Sequence, residues 1–361
     1  MPKGCQQCLE GTKVVFFLNG MCQKPLHCAW YCPISEERRG KDSTFADEIK
    51  ISSKEDLLEE IKKIKAKGMS ISGGEPLSEL NVEKTLDYIK YVKSMKGKKF
   101  HIHLYTNGIN FNESIAKALS EADLDEIRFH PPKEKWENIK FALNKGMSVG
   151  AEVPVIPDEE HMKKLEEFIL YLNSIGAEFV NLNEFEIVIP NNELLKNQGF
   201  KLKEGTIASV ENSKEMAIVL INKLAPKVSL KMHLCTIATK DHWQLKKRYL
   251  RRATTIKLPF EEITEEGLLL FGQIEGDIEN LKKAYNILIF NLKIPKKLIY
   301  IEGDNIKLPF YIVIDDDITT ILNDSNLKSY IVEIIPFRGE YCQITEKTPT
   351  EIFKKEVSGY S

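Results

Sequence analysis

The sequence has no long hydrophobic run. Nowhere do about eighteen apolar residues follow one another, and no basic start leading into an apolar stretch opens the chain. Membrane spanning and secretion are therefore not expected, and the cytoplasm is the expected compartment. Nor is there an excess of charge of either sign: 51 basic residues stand against 53 acidic ones, which gives no global pull toward nucleic acid or an anionic membrane. Cysteine is scarce and odd in number, seven in 361 residues with five of them in the first 32. Such a distribution does not fit a disulfide framework and fits reduced thiols that bind metal. With 42% apolar residues the chain can bury one large core and a smaller second one.

What is present is concentrated near the N-terminus. Cys22, Cys28 and Cys32 fall within eleven residues in MCQKPLHCAWYCP. Three thiols are one short of the four that usually saturate an iron–sulfur cluster or a structural zinc, so a cluster they held would keep one iron open. A zinc knuckle, with His27 as fourth ligand, is the alternative. Some forty residues on, Ser72, Gly73, Gly74, Glu75 and Pro76 end a short apolar run. Paired glycines there are expected to expose backbone to a ligand with no Cβ in the way, followed by a carboxylate and a turn-fixing proline.

From residue 12, short β-branched runs alternate with amphipathic stretches. The strand candidates are TKVVFFLNG, MSISGG, KFHIHLYTNG, LDEIRFHPP, MSVGAEVPVIP, AEFVNLNEFEIV and KVSLKMHLC. Between them, SKEDLLEEIKKIKAKG reads as a helix opened by a serine and acidic residues and closed by lysines and Gly68. VEKTLDYIKYVKSMKG, EEHMKKLEEFILYLNSIG and SKEMAIVLINKLA follow the same logic. Alternation of this kind predicts right-handed βαβ units around a parallel sheet, an α/β fold with a partial or near-complete (β/α) TIM-type barrel. Polar residues collect at the strand ends: Ser72 to Glu75, Thr106 and Asn107, Arg128 and His130, Glu152, and Asn181, Asn183 and Glu184. Strand ends are polar wherever they meet solvent, but in α/β barrels they also build the site. Arg128 and His130, two apart on a strand, point to one face and could grip an anionic substrate group or form a satisfied pair at the mouth.

At this point the chain resembles the radical S-adenosylmethionine (SAM) superfamily, in the part related to pyruvate formate-lyase activating enzymes. The resemblance rests on CQKPLHCAWYC, with Tyr31 before the last thiol, on SGGEP, and on HLYTNG, DEIRFH and VPVIP, and it spans roughly residues 12 to 235. The family's usual gaps between the cysteines are three and then two residues; here they are five and three, which a loop can absorb. The resemblance implies that Cys22, Cys28 and Cys32 hold a 4Fe–4S cluster whose fourth iron chelates SAM. It places the amino end of SAM on Gly73, Gly74 and Glu75 within the Ser72–Pro76 turn, with further contacts from Thr106, Asn107 and Glu152. It also implies reductive cleavage of SAM to a 5′-deoxyadenosyl radical that takes hydrogen from a substrate. An external one-electron reductant such as ferredoxin or flavodoxin is the implied partner, and the substrate stays open among small molecules, peptides and tRNA.

Residues 1–11 form a lead-in with the CxxC pair Cys5 and Cys8, the barrel is expected over 12–253, and a small α+β appendage over 254–361. Subtracting the three clustered cysteines leaves Cys5, Cys8, Cys235 and Cys342, a count that would close a zinc or a second iron–sulfur site. Cys5, Cys8 and Cys235 are its candidate ligands. IKLPF at both 256 and 306 hints at a duplicated hairpin. Lys240, Lys246, Lys247, Arg248, Arg251 and Arg252 lie on one expected helix after the barrel and could neutralise phosphates. That segment supports a rival of a different class, a non-catalytic zinc-binding or iron–sulfur RNA-binding adaptor.

Overall fold

The computed structural model describes residues 1–24, 26–324 and 326–358. The chain divides into two compact units, Met1–Leu245 and Lys246–Ser361.

The first unit begins with helix α1 (Lys3–Leu9) and strand β1 (Lys13–Phe17), then a long loop and an antiparallel hairpin, β2 (Thr44–Ala46) and β3 (Ile49–Ile51). From there helices and strands alternate: α2 (Lys54–Lys63), β4 (Gly68–Ser72), α3 (Val82–Lys96), β5 (His101–Thr106), α4 (Glu113–Glu121), β6 (Glu126–Phe129), β7 (Ser148–Val155), α5 (Glu159–Ser174) and β8 (Phe179–Glu184). A 3-10 segment, Lys133–Ala142, links β6 to β7, and α6 (Asn192–Asn197), α7 (Ser213–Leu224), β9 (Lys231–Cys235) and the short α8 (Ile237–Thr239) complete the series. The sheet order is β3-β2-β1-β4-β5-β6-β7-β8-β9, with β1 and β4 to β9 all parallel. All seven strand candidates are present, and β3 and β9 end the sheet, so the barrel is partial.

Helix α2 shows why these segments are helical. Ser53 Oγ accepts from Asp56 N at 3.2 Å while Asp56 Oδ2 accepts from Ser53 N at 2.9 Å, a reciprocal cap that satisfies two otherwise orphaned donors. The helix does not run on to Gly68. It stops at Lys63, Lys65 takes a positive φ of 49°, and Gly68 opens β4 instead. A Cβ on Gly68 would lie 2.1 Å from Gln7 Oε1 on α1 and 2.6 Å from the His101 carbonyl, so this glycine serves close packing rather than helix termination.

The strands alternate in an unusual sense. Val14, Phe16, Met69, Ile71, Ile102, Leu104, Ile127, Val149 and Leu182 belong to one buried cluster with Leu57, Ile61, Ile89, Leu119 and Leu172 of the surrounding helices. Because successive side chains face opposite ways, the other face of the strands carries Lys13, Ser70, His101, His103, Tyr105, Glu126, Arg128, Glu152, Asn181 and His233. Helix α1 packs against β1, β4 and β5 and meets this polar interior: the Gly4 amide donates to Glu126 Oε2 at 3.1 Å.

In the second unit, helix α9 (Lys246–Ile256) precedes an antiparallel sheet of β10 (Glu262–Ile263), β11 (Leu269–Glu275), β12 (Tyr300–Glu302), β13 (Asn305–Leu308), β14 (Lys328–Ile334) and β15 (Ile344–Pro349), with α10 (Ile278–Asn286) among its helices. The two IKLPF segments are not copies of one hairpin, since Ile256 ends α9 whereas Ile306 to Leu308 lie in β13. Arg252 is not available to phosphate: it is 3% exposed, donates from Nε to the Pro336 carbonyl at 2.6 Å and stacks over Phe337 at 4.1 Å. Lys247, Arg248 and Arg251 carry interactions of their own.

Candidate functional site

The C-terminal ends of the parallel strands enclose a cavity of about 270 Å³. Its lining includes Cys22, Cys28, Tyr31, Ser72, Gly73, Gly74, Glu75, Pro76, Tyr105, Thr106, Asn107, Arg128, His130, Glu152, Glu184, Glu186 and Lys240. Two of the three clustered cysteines, the whole SGGEP turn, Thr106, Asn107 and Glu152 thus share one space, although they come from four separate stretches of sequence.

The turn after β4 and the start of the cysteine loop are joined along their backbones. Gly74 N donates to the Asn19 carbonyl at 2.7 Å and Glu75 N to the Met21 carbonyl at 2.9 Å. A Cβ on Gly73, which sits at φ 142°, would lie 2.4 Å from Asn19 O, and one on Gly74 would lie 2.1 Å from Met21 O and 2.9 Å from Cys22 Sγ. The space a side chain would fill at these glycines is taken by the cysteine loop, and both glycines line the cavity. Two asparagines brace the same junction. Asn19 Nδ2 donates to Asn81 Oδ1 at 2.7 Å, and Asn81 Nδ2 donates to Asn19 Oδ1 at 3.1 Å and to the Glu75 carbonyl at 2.9 Å.

Glu75 is 2% exposed. Its Oε1 accepts from Leu77 N at 2.9 Å and from Thr106 Oγ1 at 2.7 Å, and its Oε2 accepts from Asn107 N at 2.6 Å. Burial pushes its carboxyl up to about 7, against the three donors that favour the charged form. The far end of the cysteine loop is fastened to β6 and α6. Tyr31 Oη lies 3.0 Å from His130 Nε2, His27 Nε2 lies 3.1 Å from the His130 carbonyl, and Asn191 Nδ2 donates to the Tyr31 carbonyl at 3.0 Å. Burial, with His27 beside it, lowers His130 to about 3, so it is a neutral ring that accepts the Tyr31 proton.

All seven cysteines are free thiols. Burial lifts Cys22 to about 12 and Cys28 to about 11, and the neighbouring thiols of the trio raise them further. As placed, no group of three His, Cys, Asp or Glu side chains among the described residues stands close enough to hold a metal ion. Arg128 does not face the cavity as a free cation. It is 2% exposed, donates from Nε to Glu126 Oε1 at 2.6 Å, pairs through Nη2 with the same oxygen at 2.5 Å and through Nη1 with Glu152. As placed, Arg128 pairs with these two carboxylates rather than with His130. Glu152 keeps Asn183 Nδ2 on its other oxygen at 3.0 Å.

The sequence profile of the radical SAM superfamily matches residues 25–172. A putative glycyl-radical enzyme activating enzyme from Methanocaldococcus jannaschii is 39% identical over 302 residues, covering 80% of this chain and 77% of the relative. The chain belongs to the radical SAM superfamily. Among solved structures, SuiB of Streptococcus suis bound to S-adenosylmethionine aligns at 11% identity and TM-score 0.45, over 72% of this chain and 59% of that one. Another SuiB structure aligns at 11% identity and TM-score 0.43, over 62% and 49%, so the chain spans only about half to three fifths of the SuiB length. Membership of the superfamily makes the chain an enzyme of the SAM and iron–sulfur class. No helix among the described residues is long and apolar enough to cross a membrane.

In this radical SAM chain the remaining thiols lie away from the cavity lining. Cys5, on α1, is 5% exposed and burial pushes it up to about 12. Cys235, at the end of β9, is 7% exposed, accepts from Gln244 Nε2 at 3.4 Å, and is raised by burial. Cys8 is close enough to raise both electrostatically, whereas Cys342 is exposed in the second unit. The sequence reading missed Asn19, Asn81 and Tyr105, and it took Lys240, which lines the cavity, as part of the basic helix. For Tyr105 a signal existed, because His101, His103 and Tyr105 alternate with Ile102 and Leu104.

Proposed function

We propose that this chain is a radical SAM enzyme in which Cys22, Cys28 and Cys32 ligate a 4Fe–4S cluster and the cavity beside them receives SAM. When bound, the reduced cluster and SAM supply a 5′-deoxyadenosyl radical that abstracts hydrogen from a substrate. The observation that carries the reading is the junction of the cysteine loop with the Ser72–Pro76 turn, which brings the thiols of Cys22 and Cys28 onto one cavity with a buried carboxylate. The donor set fits the cluster: Cys22 and Cys28, whose pKa values burial and neighbouring thiols have raised, gain from a cation that lets them deprotonate.

Glu75 offers its carboxylate to an ammonium group, and a cation there offsets the burial that now holds it near neutrality. Thr106 and Asn107 fix the carboxylate by donating to it, and Ser72, Gly73, Gly74 and Pro76 shape the wall. Glu152, tied to Arg128 and Asn183, is a rigid wall group for the sugar end. An external ferredoxin or flavodoxin supplies the electron. The relative's name supports a protein substrate, a glycyl-radical enzyme whose backbone loses the hydrogen atom. A second metal site at Cys5, Cys8 and Cys235 is part of the proposal only as a neighbouring group of thiols.

Iron content and electron paramagnetic resonance (EPR) test this reading. Anaerobically reconstituted protein should hold about four irons per chain, change its EPR spectrum on adding SAM, and release 5′-deoxyadenosine and methionine when reduced. Cys22→Ser, Cys28→Ser and Cys32→Ser should each lose the iron. A colourless protein holding zinc at the three cysteines, or a cluster whose spectrum ignores SAM, would refute it.

A further inference from the structure

At the cavity, three polar side chains from β1 and β5 make a buried chain. Tyr105 lines the cavity, and its Oη lies 3.2 Å from His103 Nε2. The same His103 nitrogen lies 3.4 Å from Lys13 Nζ. His103 is fully buried and Lys13 is 4% exposed. An ammonium has no lone pair and can only donate, so His103 Nε2 is an acceptor, and the Tyr105 hydroxyl is directed at that acceptor as well. Arg128 adds a positive neighbour, Nη1 lying 3.5 Å from Tyr105 Oη and the guanidinium carbon 5.5 Å from the ring. Burial, then the Glu152 charge, holds the Tyr105 phenol well above its usual range, and burial with the Arg128 and Lys13 charges holds His103 well below its own. At neutral pH the chain is therefore a protonated phenol on a neutral imidazole.

Such a phenol is a poor acid but carries a weak O–H bond compared with an aliphatic C–H. We propose that Tyr105 quenches a carbon radical formed in the substrate-free cavity by giving it a hydrogen atom. The inference rests on the radical SAM reading above. In the step the Tyr105 O–H bond breaks, a C–H bond forms on the radical carbon, and a neutral phenoxyl radical remains on Tyr105. One electron from a low-potential iron–sulfur or flavin protein then reduces the phenoxyl. One proton, ultimately from solvent, reaches it by way of His103 Nε2, which lies within hydrogen-bonding distance of both Lys13 and Tyr105. His103 and Lys13 act as positioning residues, and Tyr105 protects the barrel from damage at carbon when no substrate is bound.

The test uses reconstituted, substrate-free protein reduced in D2O in the presence of SAM, where the Tyr105 hydroxyl carries deuterium. Most 5′-deoxyadenosine should contain one deuterium, and freeze-quenched samples should show a tyrosyl EPR signal that narrows when the protein contains ring-deuterated tyrosine. Tyr105→Phe, which removes one oxygen, should lower the deuterium content at least fivefold and abolish that signal. The labelling arm needs no variant, so it stands even where Tyr105→Phe folds poorly. Undeuterated product, or deuteration that Tyr105→Phe leaves unchanged, overturns the proposal while the radical SAM reading survives. No 5′-deoxyadenosine at all overturns the reading and the proposal together.

Discussion

Replacing Arg128 by Met should destabilise the first unit more than the removal of any surface cation, and the loss relative to the parent should shrink as the pH falls below about 7. Arg128 is buried between Glu126, 1% exposed, and Glu152, with the Nε to Oε1 contact at 2.6 Å. Met keeps the length and apolar stem but leaves two carboxylates with only the Gly4 amide, His101 and Asn183 as partners. Breaking a buried pair from one side costs about 3–5 kcal/mol. With a urea slope of about 3 kcal/mol per M, the midpoint should fall by about 1 to 1.7 M.

In the parent, burial alone would lift the Glu126 carboxyl, but the His101 contact, the Arg128 charge and the Gly4 amide outweigh it and hold it at about 2. A depressed folded-state value gives stability that is present above the ordinary range near about 4.3 and is lost as the pH falls toward 2. Without Arg128 the folded-state values rise above that range, so the deficit of the variant relative to the parent should shrink as the pH falls from about 7 to about 5. Urea unfolding followed by circular dichroism at several pH values reads both effects. Adding Glu126→Gln and Glu152→Gln to the variant should restore most of the loss. A deficit below about 1 kcal/mol, or one that does not change with pH, would show that solvent reaches these groups and that the interior is not the low-dielectric space described here.

Three further outcomes are expected. Gly74→Ala should lower the melting temperature and the iron content together, because its Cβ would meet Met21 O at 2.1 Å and push the loop carrying Cys22; normal iron content in a well-folded variant would contradict this. Glu75 should titrate near 7 by carbon NMR of a labelled carboxyl, so that its ionisation costs stability as the pH rises through that value; a midpoint near about 4 would place it in water. Arg338→Ala should destabilise the second unit by about 2 kcal/mol, since Arg338 holds the 1% exposed Glu261 through contacts of 2.6 and 2.5 Å; an unchanged melting profile of that unit would refute the pairing.

The seven parallel strands were legible because Val14 and Phe16, Met69 and Ile71, and Ile102 and Leu104 repeat an apolar period of two between helical segments. The same period concealed the interior. An alternating strand reads identically whether its apolar face is turned toward the axis or toward the helices, and here it is turned toward the helices, leaving Lys13, His103 and Tyr105 inside. The partners of Arg128 were not legible, since Glu126 is two residues away and Glu152 twenty-four, and sequence alone offered a substrate anion or a satisfied pair at the barrel mouth as equally good readings. Asn19 and Asn81, sixty-two residues apart, carry no local signature at all. Gly73 and Gly74 were legible as needed glycines, but the neighbour that needs them is a loop more than fifty residues upstream, which only the fold brings close.

The cysteine loop is held by two clamps, one at Asn19 and Met21 against the glycine turn, the other at His27, Tyr31 and Asn191 against strand and helix ends. A loop fixed at both ends tolerates a change of length in its middle at little entropic cost, since closure depends only weakly on residue number. The gap of five residues between Cys22 and Cys28 falls between the clamps, which makes thiol spacing the adjustable dimension of this scaffold and the clamp residues the fixed one. Natural or designed variants should accept residues added between Cys22 and His27 far more readily than a single change at Asn19, Gly74 or Tyr31.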